Sequence, residues 1–188
     1  LLRKAGYDHL IIEGCCSEPV YVVIDDDSVE IKSAVDMTGK LVSEKRKILN
    51  QKLPSSGFAT MCIGPGGENK VKFACAMFDD RAAGRGGVGA VLGAKNLLAI
   101  AIKGSKKINP ADPDRLKRIL QEAHQIVKSN PMSSGFRESG TIGDLAANDD
   151  RGDWPTKNWQ SNSWGKGIEL LDHYEENNFV RPYGCYTG

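Results

Sequence analysis

Apolar positions in the first hundred residues recur in short runs broken by turn formers, a pattern that predicts strands more than helices. His9 to Glu13 and Pro19 to Ile24 are rich in β-branched residues, and Ser28 to Ile31 alternates apolar with polar. The acidic run Asp25-Asp26-Asp27-Ser28 between the last two reads as a tight turn. Leu41 to Leu53 mixes charged and apolar residues at helical spacing and predicts an amphipathic helix. Phe58 to Ile63, Val71 to Met77 and Leu97 to Ile102 predict further strands. Gly64-Pro65-Gly66-Gly67 is expected to turn the chain after the first of these.

Past Lys103 the pattern changes. Asn109-Pro110-Ala111-Asp112-Pro113 predicts a linker and a helix start. Asp114 to Ser129 then sets Leu116, Ile119, Leu120, Ala123, Ile126 and Val127 at helical spacing. Residues 130–166 are polar and rich in Gly, Ser and Asn, with Trp154, Trp159 and Trp164 among them, and predict a long irregular stretch. A short helix from Ile168 to Tyr174 leads into the turn-rich tail Arg181 to Gly188. The expected fold class is α+β: a β-rich domain over residues 1–108, with antiparallel or mixed sheets and a few helices, then a helical domain opening over 109–188.

Composition narrows the partners. Lys and Arg number 25 against 24 Asp and Glu, a net charge of +1, so no bulk attraction to nucleic acid or an anionic membrane is expected. No apolar run approaches the roughly 20 residues that span a bilayer, and no signal peptide is visible. A chain that starts at Leu1 without methionine is expected to be a processed product or a piece of something longer. The five cysteines form an odd set without disulfide-framework spacing, which favours a reducing, cytoplasmic setting. Cys62 and Cys75 lie in apolar runs and read as buried structural thiols, whereas Cys185 lies in the tail.

The densest chemistry lies in Arg81-Ala82-Ala83-Gly84-Arg85-Gly86-Gly87-Val88-Gly89 and on to Leu97. Five glycines and two arginines stand there, read as a loop running directly into the strand at Leu97. Glycines let a backbone approach a ligand and turn its N–H groups toward it. Guanidinium forks match phosphate oxygens. The combination points to a large anionic ligand, most simply a phosphorylated cofactor. Gly84 to Gly89 also fits G-x-G-x-x-G, but the acidic residue that would hold a ribose is replaced by the basic run Ile102-Lys103-Gly104-Ser105-Lys106-Lys107. An NADP-binding module, with Arg85 and Lys103 answering a 2′-phosphate, is one alternative. A non-catalytic interaction domain that keeps the glycines for folding is another.

Ile63 to Asn69 reads either as a second ligand loop or as a connection between strands. Neither glycine loop is followed by a P-loop Lys-Ser/Thr pair. His9, His124 and His173 are scattered and read as structural or solvated. Asp79-Asp80 reads as turn formers or holders of Arg81 before it reads as an acid/base pair. The tryptophans read as packing surface before substrate pocket.

Together these segments resemble the aldehyde:ferredoxin oxidoreductase family of tungsten or molybdenum bis-pyranopterin enzymes. The resemblance is carried by Ala5-Gly6-Tyr7-Asp8 with Ile11-Ile12-Glu13-Gly14, by Ile63 to Asn69 with Val71-Lys72-Phe73-Ala74, by Arg81 to Leu97, and by Pro155 to Gln160, in order along nearly the whole chain. It implies that Arg81, Ala82, Gly84 and Arg85 contact the pterin phosphates, with the Ala82 carbonyl near a bridging magnesium ion. It implies a cofactor-binding base over residues 1–108, truncated at its N-terminus, and an iron–sulfur-binding helical domain from 109, truncated at its C-terminus. Cys185 would be the first thiolate of a [4Fe–4S] cluster. The family pattern places its next cysteine at position 188, where this chain has Gly188.

The resemblance further implies oxidation of aldehydes to carboxylic acids, with electrons leaving through the cluster to ferredoxin or a similar carrier. Within the family, the catalytic subunit of an aromatic acyl-CoA reductase is the alternative. No catalytic acid or base is assigned within this chain. Other partners would be the remainder of the parent chain and, as an open alternative, further copies of the protein. The 188-residue segment is expected to be inactive alone.

Overall fold

A computed structural model describes residues 1–79 and 81–178, which fall into two compact units, Leu1–Asn109 and a second that begins at Pro110. The apolar runs of the first unit form strands β1 (Val20–Asp25), β2 (Ser28–Ser33), β3 (Ala59–Ile63), β4 (Ala76–Phe78), β5 (Arg81–Ala83) and β6 (Leu97–Lys103). These six join in one sheet of order β2-β1-β6-β3-β4-β5. Only β1 and β6 run parallel among these neighbours, with Tyr21 opposite Ala99 and Val23 opposite Ala101. The sheet is therefore mixed and the fold is α+β, as expected from the sequence.

Position in the sheet explains composition. Central β6 buries every residue from Leu97 to Ala101, so its apolar run is unbroken. Edge strand β2 leaves Val29 and Ile31 exposed and carries the Glu30–Lys32 ion pair. Helices α1 (Leu2–Ala5), α2 (Val42–Lys52), α3 (Pro65–Glu68) and α4 (Val88–Ala94) complete the unit. Leu49 of α2 and Leu92 of α4 enter the core beside Tyr21, Met37, Met61 and Ile100. Each fully buried side chain of this size contributes about 1.5–3 kcal/mol.

Four expectations for the first unit need correction. His9 to Glu13 is not a strand: no described strand pairs with it, and Ile11 is 82% exposed. Val71 to Met77 is mostly a turn, with only its end entering β4. The glycine-rich segment does not run straight into β6, because α4 intervenes. Gly64 to Gly67, expected as a turn, initiates the single-turn helix α3 with Pro65 at its first position.

The second unit is helical. α5 (Pro113–Ser129) begins where predicted: the Asp112 carboxylate accepts from the Arg115 N–H at 2.9 Å, and Pro113 takes the first turn. Its apolar stripe, Leu116, Ile119, Leu120 and Ile126, remains exposed. Residues 130–166 hold more order than their composition suggested, including α6 (Pro131–Glu138), a 3-10 turn (Gly140–Asp144) and α7 (Leu145–Asp150). α8 (Gly167–Asn177) follows. Among the described residues no helix is long and apolar enough to cross a membrane.

Candidate functional site

The glycines of the Arg81 segment divide into two groups. Gly84 and Gly86 are exposed, and a Cβ at either would meet no atom within 4 Å. Gly87, Gly89 and Gly93 are buried against backbone. A Cβ on Gly87 would stand 2.3 Å from the Lys72 carbonyl oxygen, and one on Gly93 only 1.9 Å from the Gly67 carbonyl oxygen. The second group therefore lets α4 lie against α3 and the turn after it, contacts no other residue would allow. The first group opens a surface.

Strand β5 places Arg81 and Ala82 beside that opening. It is the last strand of the sheet, pairing with β4 through Phe78 opposite Arg81 and Met77 opposite Ala82. A terminal strand leaves one row of backbone groups without a strand partner among the described residues. Arg81, Ala82, Gly84 and Arg85 are all exposed, so one short stretch offers guanidinium groups, backbone polar groups and unobstructed glycines. Gly86 and Gly87 have φ of 79° and 68°, consecutive left-handed conformations that turn the chain into α4.

The scaffold beneath is pinned by buried polar pairs. Fully buried Lys45 donates from Nζ to the Ile63 carbonyl at 2.8 Å and pairs with Glu68. Glu68 also accepts from the Gly39 N–H at 2.9 Å. The Ile63 to Asn69 motif is thus a connection between strands whose glycine and glutamate are engaged in packing. Asp79 accepts from the Thr60 N–H at 3.0 Å and its hydroxyl at 2.9 Å, and lies 3.6 Å from Arg46. These bonds hold the β4–β5 turn, which fits a turn-forming role for Asp79; Asp80 lies outside the described residues.

Buried Cys62 has its thiol pushed up to about 11 by desolvation, which outweighs the nearby Lys45 and Arg46 charges. Cys75 is partly buried and Cys15 exposed. The three histidines are exposed. Among the described residues no group of three or more His, Cys, Asp or Glu side chains converges as a metal-ligand set. Cys185 and Gly188 lie outside the described residues.

In the second unit a cleft of about 620 Å³ is lined by Ala146, Arg151, Gly152, Ser163, Gly165 and Ile168 around buried Asp149. Asp149 accepts from the Ser163 hydroxyl at 2.7 Å, and from the Trp164, Gly165 and Gly167 N–H groups at 2.6, 3.1 and 2.7 Å. The Ser163 bond first, and then the backbone donors, hold its carboxyl well below the usual carboxylate range. Sequence reading passed over Asp149, because its donors lie 14 to 18 residues away in a polar stretch without periodicity. Its bonds knit that stretch onto α7 and α8.

The topology also decides against a dinucleotide fold. A Rossmann fingerprint joins adjacent parallel strands through its helix. Here β5 and β6, which flank α4, are separated in the sheet by the antiparallel strands β4 and β3.

Comparison with known proteins gives one consistent result. The model of the aldehyde ferredoxin oxidoreductase N-terminal domain matches residues 1–104. Tungsten-containing aldehyde ferredoxin oxidoreductases of Pyrococcus horikoshii and Pyrococcus abyssi are 40% and 42% identical over 98% of this chain, which spans 32% of each relative. The aliphatic sulfonate oxidoreductase WOR-like subunit of Pyrococcus furiosus is 34% identical over the whole chain and is again covered to 32%. Among solved structures, the active-site complex BamBC of benzoyl coenzyme A reductase, bound to 1,5-dienoyl-CoA, superposes with a TM-score of 0.80 at 25% identity. That match covers 99% of this chain and 30% of the other. The chain thus corresponds to about a third of the length of the curated relatives it matches, and it belongs to the aldehyde ferredoxin oxidoreductase family.

Proposed function

We propose that the Arg81–Gly86 stretch holds the phosphate end of a tungsten-bearing pyranopterin, in a protein that oxidises aldehydes to carboxylic acids. The reading is supported by one observation above all: Gly84 and Gly86 stand open beside exposed Arg81 and Arg85, while the neighbouring glycines are engaged in packing. The donor set fits the group. Guanidinium forks and unobstructed backbone suit phosphate oxygens, and a backbone carbonyl such as that of Ala82 is the hard oxygen ligand that magnesium prefers. Arg81 and Arg85 would grip the phosphates, Gly84 would admit them to the backbone, and the Ala82 carbonyl would face the magnesium.

The bound cofactor supplies the redox chemistry, and the chain's task is to bind and orient it. In this reading Cys185 is the first thiolate of a [4Fe–4S] cluster, and ferredoxin or a similar carrier takes the electrons. The relatives near 40% identity carry both tungsten and ferredoxin in their names, which supports this over the other family activities.

The structural likeness to the benzoyl coenzyme A reductase complex favours one second reading, a catalytic subunit that reduces aryl-CoA esters. Rates of the intact protein with aldehydes and with aryl-CoA esters separate the two. The cofactor assignment is tested by tungsten, molybdenum, iron and phosphorus content of the intact protein and of its Arg81→Ala and Arg85→Ala variants. Tungsten is expected in the parent and is expected to fall in both variants; undiminished tungsten and phosphorus in both would sink the proposal.

A further inference from the structure

The turn between α3 and β4 is fastened directly against the Arg81 loop. The Gly89 N–H donates to the Ala74 carbonyl at 2.9 Å, and a Cβ on Gly87 would stand 2.3 Å from the Lys72 carbonyl oxygen. Lys72 is therefore held beside Gly87, with no side chain of Gly87 between the two backbones. It is exposed, and it forms no hydrogen bond or ion pair with any described residue.

The acids closest along the chain are engaged elsewhere, Glu68 with Lys45 and Asp79 with Thr60 and Arg46. The two loops thus bring Lys72 and Arg85 onto adjoining exposed stretches of the same sign. In a chain whose charges nearly balance, such a local positive stretch would attract an anion.

We infer that the Lys70–Ala74 turn is the second wall of the anion site and that Lys72 supplies its cation, completing the grip of Arg81 and Arg85 on a phosphorylated ligand. The inference rests on the reading that the Arg81–Gly86 loop binds such a ligand. Lysine acts here as a compact point charge that can follow phosphate oxygens without fixed geometry.

The test is the rate at which a water-soluble acylating reagent modifies each lysine of the intact protein, produced with and without tungstate and read by mass spectrometry. In loaded protein Lys72 is expected to react about tenfold more slowly than in unloaded protein, the factor that one charge-assisted hydrogen bond is worth. Lys117 on α5 should react equally in both. Lys72→Ala is expected to keep the parent's circular dichroism yet lose phosphorus on gel filtration at raised salt, with Lys72→Arg retaining it. Equal rates at Lys72 in the two preparations overturn the inference, even where Arg81→Ala empties the site. Arg81→Ala and Arg85→Ala variants that both keep full tungsten and phosphorus would instead overturn the underlying reading.

Discussion

Lys45 on α2 and Glu68 on α3 form an ion pair in which the lysine is wholly buried and the glutamate is partly buried, its side chain 14% exposed. The lysine ties both helices to the end of β3 through the Ile63 carbonyl. Glu68→Ala would leave the Lys45 charge buried without its partner. The expected loss is about 3–5 kcal/mol, read as a lower urea midpoint. The double variant Lys45→Met with Glu68→Leu should recover much of it, since an apolar pair of similar volume avoids the desolvation cost. A Glu68→Ala variant as stable as the parent would show the pair to be incidental.

Gly93 and Gly84 make a matched contrast. Gly93→Ala forces a methyl group into the Gly67 carbonyl, which must separate α3 from α4 and should cost about 1–3 kcal/mol or more. Gly84→Ala meets open space and should change stability by no more than about 0.5 kcal/mol. In the proposed function the same Gly84→Ala variant loses cofactor, so thermal melts and tungsten analysis of the pair separate packing from binding. Equal melting temperatures for the two variants would contradict the division.

Asp149 is expected to make the second unit sensitive to acid. Its carboxyl is held below the ordinary value, so the folded state binds fewer protons there than the unfolded chain does. The stability from its bonds is therefore complete above the unfolded value of about 4 and is lost as pH falls from there through the folded value. Trp164 donates to this carboxylate, and its ring lies 6.4 Å from that of Trp154, so near-ultraviolet circular dichroism follows the loss. A flat signal from neutrality down to about pH 4, then a decline, is expected. Asp149→Ala should show the declined signal already at neutral pH, and a parent transition centred near neutrality would count against this role.

The cysteines should react in order of burial. Cys15 is exposed and should react with a disulfide reagent on mixing. Cys62, buried and with its thiol pushed up to about 11, should react only when the first unit unfolds. Peptide mapping after brief labelling checks this, and early label on Cys62 would mean that the sheet opens at β3.

Much of the architecture was legible from local pattern. The unbroken apolar run at Leu97 marked the central strand, the spacing in Leu41 to Leu53 marked α2, and Asp112-Pro113 marked the start of α5. In each case the signal and the structure it specifies lie within one stretch of chain. The candidate anion-binding stretch was legible for the same reason, since glycine and arginine carry their chemistry with them wherever the loop is placed. The choice of Arg81, Ala82, Gly84 and Arg85 within that stretch came from the family resemblance, not from composition or spacing.

What escaped the sequence are relations between distant segments. Gly87, Gly89 and Gly93 looked like parts of the same ligand loop as Gly84. Only the approach of α4 to the backbone of Gly67, Lys72 and Cys75 shows that they serve packing. His9 to Glu13 has the composition of a strand but no strand beside it to complete its hydrogen bonds. Glu68 and Asp149 acquire meaning through partners 23 and up to 18 residues away. Composition and periodicity record what a segment can form alone; which backbone it touches, and whether its polar groups find partners there, is decided when the segments meet.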